Sequence, residues 1–211
     1  MKKLLLLFFL VPFSVFAQFF SGTVTLNDGS TKTGLIELPN SSDQTIKFKL
    51  SQKEKIEKIS INDVKNFQIK WQNDTIEYET MFLSEGKKDK ENNFKVDKEK
   101  SWVQIEKRGK NLDLVSIRYS NSGVLGAAGQ TSESGRVMYI KRHANNFAIY
   151  FFPIMESGGL TFQINFYKAL MNSIKYHFEN DCPKIIELTT KEQLKNKGLG
   201  LIVELHDEYC N

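Results

Sequence analysis

The stretch FSGTVTLNDGSTKTGLIEL (residues 20–38) decides how the chain is read. FSGTVTL has strand character and TKTGLIEL returns it. Between them Asn27, Asp28 and Gly29 form the Asn-Asp-Gly signal of a tight hairpin, because glycine accepts the positive φ that such turns demand. The chain therefore opens as an antiparallel meander. Working outward, further strands are predicted at TIKFKL (45–50), NFQIKW (66–71) and TIEYETMF (75–82), and at WVQIEKR and LDLVSIRY, joined across Gly109, Lys110 and Asn111. Ile46, Phe48 and Leu50 alternate with polar residues, as do Phe67, Ile69 and Trp71, so each strand should bury one face. An antiparallel sheet with one solvated side fits this pattern.

RVMYIKRH and NNFAIYFFP read as the last hairpin, with Asn145 and Asn146 at its turn, and the period then changes. Phe162, Phe166, Leu170, Ile174 and Phe178 recur every four residues, the apolar stripe of an amphipathic helix that must pack on the sheet. Pro183 stands near the start of a short second helix, with Asp181 or Cys182 as its cap. Thr190 and Gln193 make a capping box for KEQLKNK, Gly198 interrupts, and LGLIVELHDEYC resumes with Leu201 or Ile202, Leu205 and Tyr209 on one side. Strands first and helices last give an α+β fold: an antiparallel sheet or partly closed barrel, residues 18–155, followed by two or three packed helices within 156–211, in one globular domain. Residues 85–100, charged and poor in large apolar groups, and 120–136, rich in Gly and Ser, read as loops. Gly123, Gly126 and Gly129 lack the spacing and the helical sequel of a dinucleotide fingerprint.

The start, MKKLLLLFFLVPFSVFAQ, places Lys2 and Lys3 before an apolar run that ends in Val15-Phe16-Ala17, the pattern of a secretory signal peptide cleaved before Gln18. Without its first 17 residues the 211-residue chain leaves 194, enough to bury a core without a dense disulfide framework. Loss of Lys2 and Lys3 takes the 29 basic residues to 27 against 25 acidic ones, a formal +2. That balance, the interleaved charges of KEKIEK and KKDKENNFKVDKEK, and export all argue against nucleic acid. No later segment has the length and apolarity of a transmembrane helix. The expected location is exported: periplasm, cell exterior or outer-membrane surface.

The chemistry concentrates near the end, where YHFENDCPKI (176–185) and LHDEYCN (205–211) hold both cysteines and two of the three histidines. Export, an even cysteine count and positions at helix ends point to a Cys182–Cys210 disulfide. Two rival readings stand beside it. Both thiols are free, or His177, Cys182, His206 and Cys210 form a metal site, with His206 and Cys210 one helical turn apart. His177 lies close to the apolar stripe, where a satisfied core histidine is the simpler account. No catalytic constellation is legible: Gly-x-Ser-x-Gly, His-Glu-x-x-His and the phosphate-binding loop are all missing. Glu77 and Glu79 share a strand face and read as solvated. Trp102 shares its face with Gln104 and Glu106, while Val103 and Ile105 take the opposite one, so it is the candidate ligand contact, as a stacking platform for a sugar ring or partner; cover by the 85–100 segment or by a helix is the simpler account. No cofactor is implied.

MNSIKYHFENDCPKI and LGLIVELHDEYC resemble the closing segment of an uncharacterised family of secreted bacterial cell-envelope proteins of Bacteroidota type. There an amphipathic helix leads into Asp-Cys-Pro and a last helix carries Tyr and often Cys. GTVTLNDGSTKTGLIEL, TIKFK and SINDVKNFQI are similar to the family's start, whereas residues 81–135 match in character only. The resemblance implies a β-rich start with a helical end and an exported location. It carries over no catalytic residue. The functional expectation is a non-enzymatic binding or structural component of the envelope whose partner is another envelope protein or a glycan. The alternatives are an envelope hydrolase or a subunit of an outer-membrane assembly.

Overall fold

The computed structural model describes residues 18–91, 93–122, 132–155 and 164–210. Among these, ten strands precede four helices: β1 Phe19–Leu26, β2 Thr31–Glu37, β3 Thr45–Lys49, β4 Glu57–Ser60, β5 Val64–Trp71, β6 Asp74–Lys88, β7 Phe94–Lys107, β8 Leu112–Ser122, β9 Ser132–Arg142, β10 Phe147–Met155, α1 Ile164–Phe178, α2 Lys184–Leu188, α3 Lys191–Lys197 and α4 Gly200–Tyr209. Residues 1–17, read above as a signal peptide, and Phe162, Gly123, Gly126 and Gly129 lie outside the described residues.

The opening hairpin forms as its sequence predicts. Gly29 holds φ at +85° and Asp28 Oδ1 accepts from the Ser30 amide at 2.8 Å, closing the turn locally. Gly22 and Gly34 face each other across β1 and β2. A Cβ on Gly22 would stand 2.2 Å from the Gln68 carbonyl oxygen, and one on Gly34 2.3 Å from that of Lys49, so neither position admits a side chain. The sheet order is β10-β9-β8-β7-β6-β5-β1-β2-β3-β4. All neighbours are antiparallel except at one place, where β10 returns to pair in parallel with Phe82–Ser84 of β6. That pairing closes β6–β10 into a five-stranded barrel, and β5-β1-β2-β3-β4 continues from the first half of β6 as an open sheet.

Period-two alternation serves two hydrophobic layers at the barrel. Met81, Leu83, Val103, Val115, Tyr139 and Ala148 cluster on one face, and Leu112, Leu114, Met138 and Ile140 turn the other way, toward the helices. A third core lies under the open sheet, built from Val24, Ile36, Ile46, Phe48, Phe67 and Ile69. The α1 stripe behaves as its spacing predicts: Leu170, Ile174 and Phe178 are fully buried against β8–β10.

Several expectations need correction. Residues 85–100 are not a loop. β6 runs to Lys88 and β7 begins at Phe94, with Ser84 opposite Val96 and Lys88 opposite Phe94. Charged side chains suit a ladder solvated on both faces, and Phe94 packs edge-on to Phe147 at 5.9 Å. Strand also enters the 120–136 segment from both ends. β4, which lies in KEKIEKIS, gave no sequence signal because only Ile59 of its four residues is buried. Helices among the described residues number four rather than two or three: Gly198, with φ +62°, separates α3 from α4. The Thr190–Gln193 capping box is formed in both directions, whereas Pro183 caps α2 without a side-chain hydrogen bond. Tyr209 is exposed, and the residues of α4 that are buried are Leu201, Ile202, Val203, Leu205 and His206. No helix among the described residues is long and apolar enough to cross a membrane.

Candidate functional site

Cys182 and Cys210 form a disulfide with Cα atoms 5.8 Å apart, tying the turn after α1 to the C-terminal cap of α4. Both sulfurs are buried in the core between the helices and the barrel. The four-residue metal reading does not fit this arrangement. The two thiols are spent on each other, and His177 Nε2 lies 3.0 Å from the Tyr150 carbonyl oxygen. Burial, chiefly, and the nearby Arg142 guanidinium lower the His177 pKa to about 4. The ring is therefore neutral at pH 7, with the Nε2 proton donated to that carbonyl. His177 also packs edge-on to Phe151 at 5.4 Å, as a core histidine does. His206 is buried against Phe178, and burial with Arg142 lowers its pKa too.

Trp102 is not a ligand platform. It is 2% exposed, edge-on to Phe67 at 5.5 Å, and its Nε1–H donates to the Asp43 carbonyl at 2.7 Å. Its amide donates to Ser41 at 3.0 Å, so the loop before β3 folds back over the indole and shuts the open sheet against β7. Glu77 and Glu79 are not simply solvated. Arg108 donates to Glu77 at 2.7 Å and to Glu79 at 2.5 Å, and its Nη1 lies 3.3 Å from Asp113. Asp113, itself buried, accepts from the Gly109 amide at 3.1 Å and meets His143 Nε2 at 3.1 Å. The Glu77 hydrogen bond, first, and then Glu79 raise the Arg108 pKa further, so its charge is permanent. A cation locked between two carboxylates binds the β7–β8 turn to β6 and leaves no acid–base pair poised for glycoside chemistry.

One arrangement able to hold a molecule is announced by none of these residues. Between the outer face of β7–β9 and helices α1, α3 and α4 lies a cleft of about 450 Å³. Leu114, Met138, Ile154, Leu170 and Leu194 provide its apolar wall. Arg136 and Glu106 add an ion pair in which Nη1 donates to both carboxylate oxygens, at 2.9 and 3.0 Å, and Ser116 Oγ–H donates to Glu106 at 2.5 Å. On the helical side, Glu204 accepts from Lys197 at 2.9 Å and from Lys107 at 3.1 Å. Those two ammonium groups hold the Glu204 carboxyl below its usual range. Lys195, Gly198, Leu199 and Gly200 complete that side. A volume in this range, with an apolar wall set against six charged side chains, is of a size to hold a small molecule. Its residues come from strands and helices far apart in the chain, so no local motif marks them. The only legible trace was the apolar stripe of α1.

Comparison with known protein families, with curated proteins and with solved structures returns no match to this chain.

Proposed function

We propose that this chain is an exported component of a bacterial cell envelope that acts by binding rather than by catalysis, and that the barrel–helix cleft is where it binds. The observation that carries the reading is the cleft itself: about 450 Å³ with an apolar wall and a hydrogen-bonded ion pair in its lining. Export is supported by the leader-like start and by the Cys182–Cys210 disulfide, which persists in oxidising compartments. A binding role is favoured because most groups that suggested chemistry are engaged structurally: His177 on Tyr150, Glu77 and Glu79 on Arg108, and both cysteines on each other, while His206 is buried with its Nδ1 unpartnered among the described residues. With Trp102 buried, the glycan-stacking surface expected from the sequence is gone, and a small apolar-bodied ligand takes its place.

The test is to express the full chain in a bacterial host, purify it from the periplasm without detergent, and record its native and denatured masses. The expected result is a mature chain starting at Gln18 with a noncovalent companion released on denaturation, whose occupancy falls in Ile154→Trp. Retention of the whole chain in the cytoplasm would refute export. Turnover on an ester, peptide or glycoside panel would refute the binding role, and unchanged occupancy in Ile154→Trp would refute the cleft.

A further inference from the structure

Resting on the reading of the cleft as the binding site, we infer that its ligand is a single-chain amphiphile whose anionic head, a carboxylate or phosphate, is held at the α3–α4 end. Three ammonium groups, Lys107, Lys195 and Lys197, line that end against one carboxylate, Glu204. Lys107 and Lys197 share Glu204, and Lys195 has no ion-pair or hydrogen-bond partner among the described residues. The Arg136–Glu106 pair is neutral as a unit, so the cleft carries a surplus of positive charge and the lysines are its source. The same end receives the start of α4, a ten-residue helix with no side-chain cap, where Leu199 and Gly200 line the cleft. The positive end of the helix dipole adds to the lysine field. A Cβ on Gly200 would lie 3.7 Å from Lys107 Cδ, ordinary van der Waals contact, so the lysine stem passes close to the helix start.

The rest of the cleft selects the other half of the ligand. Leu114, Met138, Leu170 and Leu194 offer hydrocarbon from two strands and two helices and no hydrogen-bonding side chain. A small polar anion would satisfy the lysines and leave that wall wet. A neutral or cationic chain would fill the wall and leave the lysine charge unanswered, or oppose it. A molecule with one apolar chain and one anionic head satisfies both, and its two natural sources, a free fatty acid and a phosphorylated lipid, share that chemistry.

The experiment is calorimetric titration of the mature chain with four probes below their micelle-forming concentrations: dodecanoate, dodecyl phosphate, dodecyl maltoside and dodecyltrimethylammonium, with inorganic phosphate alone as a fifth. The expected result is one-to-one binding of at least one anionic probe, about five-fold or more tighter than the neutral and cationic probes, the scale of one exposed charge contact. That binding weakens with added salt and falls about five-fold in Lys195→Glu, whose urea midpoint matches that of the parent. The tighter of dodecanoate and dodecyl phosphate names the head. Equal binding of all four chains, lost in Ile154→Trp, would overturn the anionic head and leave the cleft reading intact. Binding of inorganic phosphate as tight as that of the chains would overturn the amphiphile. Failure of every chain to bind, or binding indifferent to Ile154→Trp, would overturn both.

Discussion

Breaking the Cys182–Cys210 bridge tests how the helical layer is held. The two cysteines are 28 residues apart, and between them lie α2, α3 and the whole of α4, so reduction frees the last helix from the turn after α1. In the chain-entropy account, closing a loop of that length restricts the unfolded state by about 3.6 kcal/mol at 25 °C. That is a large share of the 5–15 kcal/mol by which domains are typically stable. With a urea dependence of about 2–3 kcal/mol per molar, reduction should lower the unfolding midpoint by about 1.2–1.8 M. Reduced parent protein is the clean comparison because the same sulfur atoms stay in the same core. Cys182→Ser with Cys210→Ser should fall further, by about 1–2 kcal/mol, since it buries two hydroxyls among apolar neighbours. The assay is urea unfolding followed by tryptophan fluorescence with and without reductant, with alkylation and intact mass confirming the redox state. An unchanged midpoint in a sample whose thiols are shown to be free would refute the reasoning, because the loop constraint would then be contributing nothing.

His177 makes stability depend on pH. Its folded pKa is about 4 against an ordinary 6.5, so the folded state prefers the neutral ring. As pH falls from 6.5 toward 4 the unfolded chain takes up the proton first, and about 3 kcal/mol of stability is lost. His206 is shifted in the same direction. Urea midpoints at pH 7.5, 5.5 and 4 should therefore decline more steeply in the parent than in His177→Gln, and equal slopes would sink the assignment. Trp102→Ala should cost about 3–5 kcal/mol, for the lost core volume and the orphaned Asp43 carbonyl, with folded-state ligand binding unaffected. Calorimetric unfolding measures it, and a cost under about 1 kcal/mol would contradict burial. Arg108→Met strands Glu77, Glu79 and the buried Asp113 beside one another and should cost about 2–3 kcal/mol. Combining it with Glu77→Gln and Glu79→Gln should recover part of that loss, and strict additivity in the mutant cycle would show that the cluster does not act as a unit.

How much of this was legible depends on the range of the deciding interaction. The Asn27–Gly29 turn, the Thr190–Gln193 capping box and the α1 stripe are written within a few residues, and each appears where its pattern placed it. The errors fall where distant partners decide. Lys87, Lys88 and Lys95 read as loop because they carry no apolar alternation, and they stay exposed in the structure, where only backbone pairing within the β6–β7 ladder makes this segment strand. Trp102 shares its face with polar Gln104 and Glu106, so the local pattern left open whether and by what it is covered, and the cover comes from the loop at Ser41–Asp43, some sixty residues away in sequence, rather than from residues 85–100 or a helix. Glu77 and Glu79 looked solvated because Arg108 belongs to another turn.

By itself the sequence determined that strands come first and helices last, the α+β class and the cysteine pair to be joined, since turn chemistry, periodicity and cysteine count are local or compositional properties. Tertiary structure alone decided that β10 closes a barrel on β6 and that Arg136, Lys107 and Lys195 share a cleft with Leu170. Closure and convergence depend on sheet twist and on how helices seat against strands, and those are set by packing across the whole chain rather than by any segment of it.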